Sequence, residues 1–383
     1  MSKSVAMFAL LFMATLCMVA VKPALSSDEP VENSWVSKAP MQQARSCLGV
    51  VAANGKIYAI GGSNESGFLP SLPGSDVAVF LSESFLGTNE EYDPITDTWT
   101  YKTSMPTPRI AFAIAVYQNK IYCIGGQTNN GLTGVNEVYD PATDTWETKT
   151  PMPTPRGWLK ANVVNGSIYL VGGYSPISAQ LNEVFNPETD SWNTKTPAPN
   201  SLMFGFNSAA STVFDNKIYF IPGEPEGDYI QIYDVETDKW SLGASSPSGI
   251  STGVAVSTTG VLAPKKIYVL DYSTVRVYSP ENGTWILGAD VLKKLRFNFG
   301  ATILNDAIYV IGGYTYKWLP GDFYPMAANE RYTPFGYGTV PHEPEPEPFP
   351  TTLVATVAVA SVAIIGLGLL VYLKKRKHYL DTP

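Results

Sequence analysis

Arginine recurs at one position of a repeating pattern. It stands 12 residues before an Ile-Tyr pair in four places, at Arg45, Arg109, Arg156 and Arg296. Guanidinium groups bind carboxylates and sulfates through paired hydrogen bonds, so four of them around one opening predict an anion-binding face. The alternative is structural, with each arginine tying neighbouring repeats together through backbone carbonyls or acids. Two further copies carry Phe206 and Ala255 at this spacing.

Aromatic residues accompany these arginines and complete the candidate binding face. They are Trp158, Tyr174, Tyr314, Tyr316 and Trp318. Aromatic loops on a rigid scaffold are typical of recognition, by stacking on sugars or by burial in a protein partner. The alternative is that these rings pack onto the longest insertion, residues 63–88.

Several kinds of chemistry are missing from the repeats. Both histidines, His342 and His378, lie beyond them, so we expect no imidazole base, triad or histidine-held metal there. Cys-x-x-Cys and His-Glu-x-x-His motifs are absent as well. We therefore assign no catalytic residue, cofactor or metal. The formal net charge is −8, and six of the 26 basic residues lie outside residues 28–350. This stretch, with 20 basic and 33 acidic residues, therefore carries a net charge of −13, which argues against nucleic acid as a partner.

The elements that would position these side chains form a repeat. One copy reads Met-Pro-Thr-Pro-Arg at 105–109, an Ile-Tyr strand with Gly-Gly at 120–126, Asn-Glu-Val-Tyr-Asp-Pro at 136–141 and Thr-Asp-Thr-Trp at 143–146. Closing tryptophans recur at Trp35, Trp99, Trp146, Trp192, Trp240 and Trp285. Turn residues between apolar runs give four strands per copy. A four-stranded unit has two faces to cover, which stacking in a ring achieves.

This pattern of Gly-Gly, tyrosine and closing tryptophan resembles the kelch repeat. The resemblance implies an all-β fold, a six-bladed kelch-type β-propeller. Copies four and five depart from it, with Pro222 in place of the first glycine and Val-Leu-Asp at 269–271. The sixth copy ends near Pro334 without a tryptophan strand, whereas the chain opens with an unpartnered one at 33–36. We predict that this N-terminal strand closes the last blade.

The two apolar ends predict export and anchoring. Residues 1–27 are typical of a signal peptide. Residues 351–373 suit a transmembrane helix, because 353–373 carry no charge and a basic tail follows at 374–383. A buried soluble helix is the alternative. The Pro/Glu-rich residues 339–350 predict an extended spacer after a propeller at 28–338.

The functional expectation is a monomeric, non-catalytic recognition module at the cell surface, with the C-terminus in the cytoplasm. Its ligand would be an extracellular protein or glycan. A propeller enzyme acting on a carbohydrate, similar to the sugar mutarotases, and a structural envelope protein remain alternatives. Candidate glycosylation sites are Asn64, Asn165 and Asn282. Cys47 and Cys123 are either free and buried or joined by a disulfide.

Overall fold

The computed structural model describes nine stretches of the chain. They are residues 31–65, 85–174, 180–199, 210–222, 229–247, 253–272, 274–289, 295–316 and 323–339. The predicted signal peptide, transmembrane segment, cytoplasmic tail and most of the spacer lie outside these ranges, as do Phe206 and Trp318. Across the nine stretches there is no helix of the length and apolarity needed to span a membrane.

The described residues form short β-strands from one end to the other. The first fourteen are β1 Ser34–Lys38, β2 Gly49–Ala53, β3 Lys56–Ile60, β4 Asn89–Asp93, β5 Thr98–Lys102, β6 Ala113–Tyr117, β7 Lys120–Ile124, β8 Gln127–Thr128, β9 Gly131–Leu132, β10 Asn136–Asp140, β11 Thr145–Lys149, β12 Lys160–Val164, β13 Ser167–Val171 and β14 Asn182–Asn186. The remainder are β15 Ser191–Thr194, β16 Ala210–Phe214, β17 Lys217–Ile221, β18 Tyr229–Asp234, β19 Lys239–Ser245, β20 Val254–Ser257, β21 Ile267–Leu270, β22 Val275–Ser279, β23 Thr284–Leu287, β24 Gly300–Leu304, β25 Ala307–Ile311, β26 Tyr314–Tyr316, β27 Phe323–Pro325 and β28 Asn329–Thr333.

These strands build the six predicted blades. Each of the six four-stranded sheets in the described residues is antiparallel, and the innermost strands of blades one to six are β2, β6, β12, β16, β20 and β24. The pairs β8–β9 and β26–β27 add small hairpins to blades two and six. The six-bladed all-β propeller expected from the repeat is therefore confirmed.

The repeated residues act between blades as well as within them. Apolar side chains of adjacent blades share cores, such as the cluster of Tyr122 and Ile124 with Ile168 and Phe185. The closing tryptophans add a polar tie, because Trp146 Nε1 donates to the carbonyl of Thr103, which follows the preceding blade, over 2.8 Å. The same bond recurs in blades one, three, four and five. Blades one to five are thus each held by the preceding blade, whereas Nε1 of Trp35 in blade six has no acceptor in the described part of the chain.

The ring closes as the sequence predicts. Strand β1 pairs antiparallel with β28, with Trp35 opposite Tyr332. Their rings lie 5.0 Å apart between centroids, and Trp35 packs against the core shared by blades five and six. The first described strand of the chain thus supplies the outer strand of the last blade.

The Gly-Gly pairs mark the points where two blades approach closely. Gly126 has a φ of +101°, and an added Cβ would lie 2.6 Å from the carbonyl oxygen of Ile110 in the same blade, whereas one on Gly125 would lie 2.7 Å from the carbonyl oxygen of Arg156 in the next blade. The N–H of Gly126 donates to the same carbonyl of Arg156 over 2.9 Å. Gly62 and Gly313 make the equivalent bonds to the carbonyls of Arg109 and Arg45. Glycine is required here for conformation and for space.

Gly126→Ala should destabilise the protein more than Gly131→Ala. Gly131 lies in the same blade with a φ of +103°, but no atom lies within 4 Å of its added Cβ. Both variants carry a similar conformational cost, so the difference isolates the steric clash, which we expect to add about 1–3 kcal/mol. Chemical denaturation of both variants measures it. Equal losses would show that the close approach can relax.

Blade five departs from the pattern in its first hairpin. The loop of residues 258–265 between β20 and β21 folds around Asp306 of blade six. Asp306 accepts N–H groups from Thr259, Val261, Leu262 and Ala263. Burial alone would raise the pKa of this carboxyl, but these donors hold the pKa below its ordinary value. The loop replaces the tight hairpin found in the other blades.

Candidate functional site

The four arginines lie inside the blades and do not ring an open mouth. Their exposed fractions are 0% for Arg45, Arg109 and Arg156 and 1% for Arg296. Each guanidinium pairs with a glutamate on the third strand of its own blade, in the pairs Arg45–Glu90, Arg109–Glu137, Arg156–Glu183 and Arg296–Glu330. The geometry therefore corrects the expected placement. The structural alternative is right about the partners, which are backbone carbonyls and acids, but these side chains bond within one blade and do not tie neighbouring repeats.

The Arg45 side chain uses both terminal nitrogens, whereas its buried Nε has no acceptor in the described part of the chain. Nη1 donates to the carbonyls of Gly61 and Thr88 over 2.9 Å each. Nη2 donates to the Ala59 carbonyl over 3.1 Å and to Glu90 Oε1 over 2.9 Å. The side chain thus braces its own blade, whereas its backbone carbonyl makes the bond to the neighbouring blade. Burial lowers the pKa of Arg45, opposed by the charge of Glu90.

A signal for these glutamates was present in the sequence but was not used. The position of Glu90 in blade one is filled by Gln231 in blade four and Arg276 in blade five, each two residues before the strand's tyrosine. These are the two blades in which no arginine was found at the 12-residue spacing. Arginine and glutamate therefore occur together or not at all among the six copies, as partners in a buried pair should.

Ala255 is not the structural equivalent of the arginines. It lies within β20, opposite Val269 of β21. Blade five has a longer first hairpin, so more than 12 residues separate its Ile-Tyr pair from the position equivalent to the arginines. That position falls among residues 248–252, outside the described residues. Spacing from the Ile-Tyr pair fails in this blade because the turn between the strands has a different length.

The loops expected to share one face of the ring do so. The residue after each arginine bridges the residue after each Gly-Gly, in the pairs Ser46–Ser63, Ile110–Gln127, Gly157–Tyr174 and Phe297–Tyr314. We call this side of the propeller the loop face. It carries the candidate aromatic residues within the described ranges.

An arc of unusual backbone conformations borders the channel on the loop face. Two residues after each arginine, φ is positive at Cys47 (55°), Ala111 (53°), Trp158 (53°) and Asn298 (49°). The N–H of Cys47 donates to the Asn298 carbonyl, Ala111 to Cys47, and Trp158 to Ala111, over 2.9, 3.3 and 2.7 Å. Blades six, one, two and three are thus joined by one backbone arc. We call these four residues the mouth residues.

The mouth residues share a backbone conformation but no side-chain type. A thiol, a methyl group, an indole and an amide stand on the same frame. Positive φ is uncommon for residues other than glycine and is an outlier for a bulky residue such as tryptophan. Such strain is often found at functional sites. Sequence reasoning missed three of the four because nothing but their position relates them.

The mouth residues enclose a small chamber that leads into the central channel. The chamber holds about 90 Å³, and its wall includes Leu48, Phe112, Leu159 and Phe299. These residues also line the channel, which holds about 340 Å³. Acidic residues are not found among the described residues that line either space. The convergent acids expected of the carbohydrate-enzyme alternative are therefore not placed there.

Lys160 is the charged residue among the described residues lining the chamber and the channel. Burial lowers its pKa, and the nearby Cys47 opposes this shift. The Cys47 thiol in turn has its pKa raised to about 11 by burial, despite hydrogen bonds with Ser46 and Asn298. At neutral pH it is therefore a thiol and a poor nucleophile. Cys47 and Cys123 are both free.

The candidate aromatic residues fall into two groups on the loop face. Trp158 packs edge-on against Tyr174, with ring centroids 6.0 Å apart. In blade six, Tyr314 is buried and stacks on Phe297, whereas Tyr316 is 39% exposed. Of the described candidates, Trp158, Tyr174 and Tyr316 thus reach the surface at least in part. Asn64, Asn165 and Asn282 are all exposed, as a glycosylated asparagine must be.

Comparisons with known proteins agree with this architecture. A family model described as the KLHDC2/KLHL20/DRC7 Kelch-repeats domain matches residues 91–271, and a kelch-motif model matches 44–106. A solved structure, "Structure of YjhT", has a TM-score of 0.56 and 16% identity, covering 76% of this chain and 95% of that one. At that identity the likeness shows the fold alone.

Curated relatives match a shorter part of the chain. The human Influenza virus NS1A-binding protein is 35% identical over 106 residues, 28% of this chain and 13% of that protein. Human Kelch-like protein 33 is 33% identical over 103 residues, 27% of this chain and 16% of that protein. Kelch-like protein 15 of Danio rerio is 35% identical over 103 residues, covering 26% and 15%. The matches thus span less than a fifth of these relatives. The chain is similar to the kelch family over residues 44–271, and its described residues form a six-bladed propeller.

Proposed function

We propose that this chain is a non-catalytic recognition module that binds a protein ligand on the loop face. The observation that carries the proposal is the set of mouth residues, four different side chains presented by one rigid backbone arc. A constant frame with variable side chains is how binding surfaces are built on repeat scaffolds. The matched relatives, named kelch-like proteins, support the scaffold but not the ligand.

A protein ligand suits the surroundings of the mouth better than a glycan. The chamber wall is apolar at Leu48, Phe112, Leu159 and Phe299, and Trp158 stands at its rim. Protein interfaces are centred on aromatic and apolar anchors, with tryptophan prominent among the residues that carry the binding energy. The site therefore favours an apolar or aromatic side chain from a partner.

The proposal includes the membrane anchor and cell-surface location expected from the sequence. It is supported by the uncharged stretch at 353–373 with its basic flank, and by exposed sequons at Asn165 and Asn282. The propeller would act outside the cell as a monomer. Protease added to intact cells should then degrade the propeller. Digestion only after permeabilisation would place it inside and reject this part of the proposal.

Trp158→Asn should weaken ligand binding at least about 30-fold, as loss of an interface hot spot of 2 kcal/mol or more does. Asparagine tolerates positive φ, so the fold should survive. Arrays of extracellular proteins and of glycans, probed with the full chain, identify the ligand, and titration of that ligand measures the loss.

Tyr101→Asn is the matched control. Tyr101 is 52% exposed but lies on the outer strand of blade one, away from the mouth. It should bind as the unmodified chain does. Equal binding by all three proteins would reject the loop face as the site, and binding confined to the glycan array would reject the ligand class.

A further inference from the structure

The walls of the central channel differ between its two sides. Blades six, one and two contribute apolar groups, including Phe299, Val50 and Ile114. Blades three, four and five contribute valines as well, together with most of the neutral polar groups of the channel, namely Asn162, Ser211, Thr212 and Ser257. A channel of about 340 Å³ with such walls falls within the size range of small-molecule sites.

The neutral polar groups of this channel are satisfied by one another. Asn162 Nδ2 donates to Ser211 Oγ over 3.0 Å. Thr212 Oγ1 donates to Ser257 Oγ over 3.3 Å, and Ser257 Oγ donates to the Val213 carbonyl over 2.7 Å. They form a ladder across three blades that does not call for a ligand.

Lys160 differs from these groups because its charge is not balanced. The ion pairs found among the described residues do not include Lys160, although they include seven other lysines. The carboxylates of the blade interiors, such as Glu183, are paired with arginines. A partly buried ammonium without a counter-ion carries a desolvation cost that an incoming anion would offset.

A second donor lines the same chamber. The Nδ2 atom of Asn298, one of the mouth residues, is buried and has no oxygen or nitrogen acceptor in the described part of the chain, and the group beside it is the Cys47 thiol, a weak acceptor. Asn298 and Lys160 both line the chamber between the mouth and the channel. An ammonium without a counter-ion and an amide without an oxygen acceptor thus face one small space with apolar walls beyond it.

We propose that the channel binds a small organic monoanion, with its carboxylate or sulfate against Lys160 and Asn298 and its apolar body along Phe299, Val50 and Ile114. This site shares the chamber with the proposed protein-binding site, but it rests on Lys160 and Asn298 and not on Trp158, so either proposal can fail alone. The lowered pKa of Lys160 agrees with an ammonium that lacks a counter-charge. An anion there would raise that pKa toward its ordinary value.

The test uses 4-fluorobenzoate as the probe and 4-fluorobenzamide as its neutral counterpart. Both are titrated into the full chain in detergent and followed by ligand-detected ¹⁹F NMR. We expect the benzoate to bind and the benzamide to bind at least about tenfold more weakly, because only the anion gains a charge-assisted hydrogen bond.

Three variants locate the site. Lys160→Met should weaken benzoate binding at least about tenfold, and Lys160→Arg should retain it. Lys265→Met removes an exposed lysine outside the channel lining and should have no effect. Thermal melting of each variant shows that it is folded. If Lys160→Met does not fold, the titrations of the unmodified chain and of Lys160→Arg with both probes still show whether a cation at this position binds the carboxylate.

Benzoate binding unchanged in Lys160→Met, equal binding of benzamide, loss in Lys160→Arg, or no binding to the unmodified chain would each overturn the proposal. Failure of this test leaves protein recognition through Trp158 untouched, because the readouts use different ligands and different variants. Conversely, benzoate binding that depends on Lys160, together with normal binding of the protein ligand by Trp158→Asn, would support the anion site and reject the proposed role of Trp158.

Discussion

Glu90→Ala is expected to lower the free energy of unfolding by about 3–5 kcal/mol, because it leaves a buried guanidinium without its counter-charge. Arg45 and Glu90 are both fully buried, with a side-chain exposure of 0% each. Glu90 also accepts the N–H of Gln42 over 2.7 Å, so the same change frees the segment that leads into blade one. Urea denaturation followed by tryptophan fluorescence measures the loss.

The double variant Arg45→Phe/Glu90→Gln should recover much of this stability. It copies blade four, where Phe206 and Gln231 occupy the two positions by spacing. Replacing both partners of a buried pair by groups that fit is often close to neutral. A double variant as unstable as Glu90→Ala would show that the pair itself is needed.

Glu147→Ala is the surface control for this pair. Glu147 is 46% exposed on its side chain and pairs with Lys149 over 3.3 Å. Exposed pairs contribute about 0–1 kcal/mol, so this change should be close to silent. A loss as large as that of Glu90→Ala would mean that glutamate removal in general, and not burial, causes the effect.

Deleting residues 31–38 should remove more than about 5 kcal/mol of stability, which is comparable with the whole stability of many domains. The deletion removes β1 with its backbone ladder to β28 and the Trp35 ring that packs on Tyr332. A packed aromatic ring alone is worth about 3–5 kcal/mol. Because each blade is held by its neighbours, loss of closure should lower the melting of the entire propeller.

Differential scanning calorimetry distinguishes this outcome from local fraying. Trp35→Ala should lower the melting temperature, whereas Val36→Ala at the exposed neighbouring position should have little effect, since Val36 is 45% exposed. A deletion variant with an unchanged single transition would contradict the idea that β1 completes the ring.

The propeller could be predicted from the sequence because its signals are local and repeated. The Gly-Gly pair, the hairpin turns and the closing tryptophan, such as Trp146, each lie within or directly beside the strand that they predict. Closure was predictable for the same reason, since one copy lacks the strand that the chain's first segment supplies. Blade five was harder to predict, because the loop around Asp306 lengthens its first hairpin. A position counted 12 residues back from Ile267 therefore falls within β20 and not before it.

The site could be predicted only in part. Spacing placed Arg109 on the correct segment, but its partner Glu137 lies 28 residues away across two strands, so burial and pairing could not be read from spacing alone. The mouth residues were harder still, because Ala111 and Trp158 share a backbone conformation and nothing in their side chains. Comparing the six copies for residues that occur together would have found the ion pairs.

The central claim is that the buried arginines support the loop face and the mouth residues bind the ligand. One titration of the identified ligand tests it, with Arg45→Phe/Glu90→Gln and Trp158→Asn measured side by side as folded proteins. We expect the double variant to bind within about threefold of the unmodified chain and Trp158→Asn to bind at least about 30-fold more weakly. Normal binding by Trp158→Asn together with loss in the double variant would contradict the account and return the arginines to the binding site.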